Sequence, residues 1–67
     1  NILGENHPDT ADSYNNIGGV YATQGKYDLA LDFFNKAYNI YVNIYGENHS
    51  KTLNTKKLIN EIKQLKL

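Results

Sequence analysis

Two histidines, two serines and a set of carboxylates are the groups in this 67-residue chain that could do chemistry beyond packing. His7 and His49 stand 42 positions apart with no cysteine anywhere in the chain. A structural or catalytic metal site needs three or four converging ligands, so both histidines are read as loop and cap residues, and no metal is expected. Ser13 and Ser50 have no sequence-level pairing with a base and an orienting group, the minimum for nucleophilic catalysis. Gly18-Gly19 lacks the preceding strand and the following lysine of a phosphate-binding loop. Six tyrosines could stack single-stranded RNA bases. Most of them fall on apolar helical stripes instead, and only Tyr38, Tyr41 and Tyr45 are placed to form a rim of rings reaching a neighbour. No catalytic residue and no cofactor follow from these groups, and an enzyme is not expected.

The elements that would position such groups are bounded by size. A chain of this length buries only about 60% of the surface it exposes when unfolded, so its core is marginal. Without cysteine, disulfides cannot compensate. Stability must come from helix packing, self-association or a longer parent protein. No apolar run is long enough to span a bilayer and no signal-peptide pattern is present, which points to a cytoplasmic protein with no membrane partner. Net charge is zero, yet it is unevenly spread. Residues 1–50 carry six carboxylates against two lysines, net −4, and residues 51–67 carry five lysines against Glu61, net +4. Nucleic-acid readers usually carry a basic stripe on the main body; here the body is acidic, and nucleic acid is not the expected partner.

Self-similarity organises the chain. Gly4-Glu5-Asn6-His7-Pro8-Asp9-Thr10 returns as Gly46-Glu47-Asn48-His49-Ser50-Lys51-Thr52, a period of 42. Residues 1–7 then read as the tail of a preceding repeat and its loop, 8–49 as one complete unit, and 50–67 as a further helix. Tyr14, Ile17, Gly18 and Tyr21 draw one stripe down a helix over about 8–24. Pro8 suits its first turn, and Asp9 and Asp12 suit the positive end of its dipole. Gly25 is free to end that helix in the left-handed conformation. A second helix, about 27–45, buries Ala30, Phe34, Ala37, Tyr38, Tyr41 and Ile44. A third, about 50–65, is expected to lay Leu53, Leu58, Ile59, Ile62 and Leu65 inward with its lysines outward. The fold class is all-α.

Tyr14-x-x-Ile17-Gly18-x-x-Tyr21 followed by Ala30-x-x-x-Phe34 resembles the signature of the tetratricopeptide repeat (TPR), with Gly25, Tyr27 and Ala37 at further matching positions. Each residue type has a packing reason. Gly18 and Ala30 let two helices approach, and Tyr21, Tyr27 and Phe34 fill the space left over. Val42 stands where the family usually has proline, so the second helix runs on and the unit exceeds the usual ~34 residues. The longer unit, its His-Pro-Asp-Thr opening and Gly25-Lys26-Tyr27 at the turn are similar to the repeats of kinesin light chains.

The resemblance implies an antiparallel helix-turn-helix solenoid fragment, one full repeat closed by a C-terminal capping helix. It implies a protein-binding module with a peptide or partner helix held on the concave face. Asp12, Asn15, Asn16, Gly19, Ala22 and Thr23 would line that face, continued by Asn54, Lys57 and Glu61 one period later. At the same offset Gly18 becomes Asn60 and Tyr21 becomes Lys63, so the third helix looks like a terminal cap. Two other functions compete: a structural segment that self-associates as a homo-oligomer through its repeat ends, and an RNA-binding appendage.

Overall fold

The computed structural model describes residues 6–66. They form three helices, α1 (Pro8–Thr23), α2 (Tyr27–Tyr45) and α3 (Ser50–Lys66), and no strand is present among them. The expected tail of a preceding repeat lies mostly outside the described residues. α1 ends one residue earlier than its apolar spacing suggested, and α3 runs one residue further, to Lys66.

Local chemistry sets the helix ends. His7 caps α1 from an extended conformation, its Nδ1 accepting the Asp9 amide at 3.0 Å. His49 does the same for α3, accepting the Lys51 amide at 3.1 Å. Their carbonyls receive Ala11 and Leu53 at the first helical turn. At the other end of α1, Lys26 N–H reaches back to the Tyr21 carbonyl and Gly25 N–H to that of Ala22. That paired closure requires a left-handed residue at its centre, and Gly25 supplies it at φ 78°. Three residues therefore reverse the chain, and α2 returns antiparallel to α1.

The α1–α2 contact is made where α1 has no side chain. A Cβ on Gly18 would lie 2.8 Å from the Phe34 ring and 3.2 Å from the Ala30 carbonyl. Phe34 thus sits directly on the α1 backbone, in a core of Ala30, Phe34, Ile59 and Ile62 that takes residues from α2 and α3. A second core, of Ala11, Ala37, Ile40 and Tyr41, lies beside the N-terminal half of α1 and the C-terminal half of α2. Both α1 and α3 pack on α2, giving a shallow slab of 34 × 27 × 12 Å.

Three expectations about the core are corrected. α3 turns Thr52, Thr55, Ile59 and Ile62 inward, while Leu53 and Leu65 are 47% and 61% exposed. The inward residues recur at i, i+3, i+7 and i+10, a single helical stripe, whereas Leu53 falls on the opposite side. On α2, Ile44 is exposed and Ile40 is buried in its place. Tyr41, expected both on the buried stripe of α2 and in a rim of rings, is only 3% exposed and so belongs to the stripe, with its hydroxyl partnered on α1. Phe33, unassigned from sequence, lies between the rings of Tyr14 and Tyr21 at centroid distances of 5.8 and 5.7 Å. Lys36 covers Tyr14 and Phe33 at 5.5 and 5.2 Å.

Candidate protein-interaction surface

Near their N-terminal ends α1 and α3 are joined by a polar seam. Asp12 is its centre. Its carboxylate accepts the Tyr41 hydroxyl from α2 and the Lys51 ammonium from α3, the latter at 3.2 and 3.4 Å to its two oxygens. One residue thereby joins all three helices. The Tyr41 hydroxyl, more than Lys51, holds the Asp12 carboxyl below its ordinary range, with burial acting in the opposite direction. Tyr41 responds in the other sense: burial foremost, then the hydrogen bond to Asp12 and after it the Asp12 charge, pushes its phenol upward. One turn on, the Thr55 hydroxyl lies 3.3 Å from Asn15 Oδ1 and 3.1 Å from the Lys51 carbonyl, which share its one proton. At the far end of α3, Lys66 pairs with Asp28 at the start of α2.

The residues expected to line a groove divide into two groups. Asp12 and Asn15 are half-buried and spend their polar atoms on the seam. Ala22 is half-buried against the core of Ala30, Phe34, Ile59 and Ile62, and Gly19 offers its carbonyl to the Thr23 hydroxyl at 3.0 Å. Asn16, Thr23, Asn54, Lys57 and Glu61 are exposed. Asn16 and Thr23 stand on α1 and the other three on α3. Asn side chains offer both donors and acceptors, and Lys57 and Glu61 add one charge of each sign. That chemistry suits a polypeptide backbone, which also presents both.

The seam itself was not read from the sequence. Its signal was present in the repeat: Asp9 in the first unit is replaced by Lys51 in the second, a charge reversal at equivalent positions. The histidine reading has a structural outcome too, since both Nδ1 atoms are engaged by the amides of their own helices. Among the described residues no group of three or more His, Cys, Asp and Glu side chains could hold a metal ion. No helix among them is long and apolar enough to cross a membrane.

Comparison with known proteins agrees with the geometry. A secreted RxLR effector protein, RXLR-C07, from Plasmopara halstedii is 42% identical over 55 residues, 82% of this chain. The chain spans only 17% of that relative's length. No solved structure matches. The tetratricopeptide-repeat family profile matches residues 1–42, a stretch that holds α1, the Gly25 turn and most of α2, and the chain therefore belongs to the tetratricopeptide-repeat family.

Proposed function

We propose that this chain is a protein-interaction module whose α1–α3 surface holds a peptide or a partner helix. The observation that carries the reading is the seam at Asp12–Lys51 and Asn15–Thr55. It joins α1 to α3 near their N-terminal ends, and in this reading Asn16, Thr23, Asn54, Lys57 and Glu61 form one wall. Within this reading, 8–49 is a full repeat unit, 50–67 its capping helix, and the fragment part of a solenoid of the kinesin-light-chain-like subtype. The family as a whole mediates protein–protein contacts. The proposed location is the cytoplasm; the secreted relative makes export the alternative to test in cells.

A library of random peptides displayed on phage tests the wall. Peptides selected on the chain should lose binding by about tenfold or more when Asn16, Lys57 and Glu61 are together changed to alanine, with helicity by circular dichroism unchanged. These three are chosen because Asn15 is committed to the seam and its loss would disturb α3. Failure to select any peptide, or selected peptides indifferent to the triple variant, would sink the wall.

A second reading rests on a different end of the molecule. Ile17 and Val20 are exposed, Val20 by 56%. They precede Ile59 and Ile62 by one 42-residue period, and those two are buried against α2. The outer face of α1 is therefore built like one that receives a helix, and self-association through it is the structural alternative. Sedimentation should show a concentration-dependent oligomer that Ile17→Asp and Val20→Asp disperse; a monomer at all micromolar concentrations removes it. RNA binding ranks below both.

A further inference from the structure

The loop between α2 and α3 holds a motif that neither the packing nor the wall uses. Of the ten asparagines in the chain, only Asn48 has a hydroxyl residue two places on, in Asn48-His49-Ser50. Asn-x-Ser, with x other than proline, is the acceptor pattern for an N-linked glycan on a surface loop. One period earlier the same triplet is Asn6-His7-Pro8, and the hydroxyl is missing.

Three residues alone make a weak signal, so their placement decides. A transferase must surround the acceptor side chain, which needs an exposed, irregular backbone. Gly46 ends α2 at φ 87°, residues 47–49 turn, and α3 opens at Ser50. Asn48 and Ser50 are both exposed, and neither side chain hydrogen-bonds to any described residue. The reason lies between them. Asparagine and serine are the usual caps at a helix start, but His49 takes that role here, its Nδ1 accepting the Lys51 amide and its carbonyl that of Leu53. Both groups of the motif are therefore free of structural duty. At the earlier triplet the amide is engaged instead, with Asn43 donating to Asn6 Oδ1 at 3.5 Å.

We propose that Asn48, in a chain exported as the alternative above has it, is the acceptor of an N-linked glycan, whatever the α1–α3 wall binds. The donor is an oligosaccharide carried on a lipid diphosphate. Asn48 Nδ2 forms a bond to C1 of the first sugar, and the bond from C1 to the diphosphate oxygen breaks. The lipid diphosphate leaves with that electron pair, and one amide proton passes to a base of the transferase. Because Asn48 is exposed and unbonded, the glycan adds bulk to the loop without displacing packed atoms or the His49 cap.

The chain is tested behind a cleavable secretion signal in insect cells, with intact mass as the readout. The signal forces entry into the secretory pathway, so an unmodified Asn48 counts against the site and not against export. Export itself is read separately, from whether the parent protein leaves its own cells. The secreted chain should carry a single glycan that peptide-N-glycosidase removes, leaving aspartate at position 48. Asn48→Gln and Ser50→Ala should each abolish the added mass, and Ser50→Thr should keep it. The glycosylated chain should match its deglycosylated form in helical circular dichroism and melting. A secreted chain without glycan, a glycan that survives Ser50→Ala, or helicity lost on glycosylation overturns the assignment. Should a variant fail to fold, peptide mapping of the wild-type chain decides: an unmodified Asn48 overturns it equally.

Discussion

The contact of α1 with α2 and the contact of α3 with α2 are made of different materials. In the first, absence is matched to bulk: Gly18 has no side chain because the Phe34 ring occupies its space at 2.8 Å from any Cβ. In the second, α3 presents Thr52 and Thr55 beside Ile59 and Ile62, and α3 is further held by polar bonds to Asp12 and Asn15 of α1. A joint of the first kind depends on shape and tolerates little change. One of the second kind depends on satisfying polar groups, and it is incomplete: the buried Thr52 hydroxyl has no hydrogen-bond partner. The hairpin thus rests on matched shapes, and the attachment of α3 rests in part on polar groups.

The comparison breaks most completely at Phe34. Phe34→Ala would empty the site facing Gly18 at a loss of about 3–5 kcal/mol, enough to unfold a domain this small. Thermal melting by circular dichroism should show no cooperative transition. Gly18→Ala is the next largest. Alanine favours helix by about 1 kcal/mol, but overpacking against a buried ring and a backbone carbonyl costs about 1–3 kcal/mol. A net loss of stability in urea is expected; a gain would mean the helices are not in close contact here.

Thr52→Val should do the opposite on the α3 side. It keeps the shape and removes an orphaned hydroxyl, so stability should rise by about 1 kcal/mol. Gly19→Ala sharpens the contrast with its neighbour. Nothing lies within 4 Å of a Cβ placed there, so the helix gains up to about 1 kcal/mol in propensity with no clash. Adjacent glycines should therefore respond with opposite signs.

The smallest effect is the pH dependence of the seam at Asp12, because water screens the partly exposed Asp12–Lys51 pair. Asp12 is held below the ordinary carboxyl value of 3.8. Its contribution is present above that value and is lost as pH falls through the lower folded value. Tyr41 is raised above the ordinary phenol value of 10.0. Its contribution is present below that value and is lost as pH climbs beyond it. Urea midpoints should decline at both extremes, and Tyr41→Phe should blunt both declines.

Much of the hairpin was legible in the sequence, because its determinants are local or strictly spaced. Gly25 marks a turn that needs positive φ, Pro8 marks a helix start, and Gly18, Ala30 and Phe34 show where two helices touch. The inner face of α3 was not legible from hydrophobicity. Leu53 and Leu65 are greasier than Thr52 and Thr55, yet the phase of the helix turns the threonines inward. The spacing of 52, 55, 59 and 62 held the better signal, since a threonine carries a methyl group that packs as readily as its hydroxyl bonds.

The candidate surface shows the same division. The family resemblance and the 42-residue period named Asn16, Asn54, Lys57 and Glu61 as lining residues, and they are exposed. That Asp12 and Asn15 would be spent on Lys51 and Thr55 required knowing which residues 39 and 40 positions away come within 3.3 Å. The sequence by itself determined the helices, their stops and the close approach at Gly18, since dihedral limits and 3.6-residue periodicity act within a few residues. Only the tertiary structure decided which polar groups pair across the seam. Pairing depends on distance and burial, and both exist only once the helices have packed.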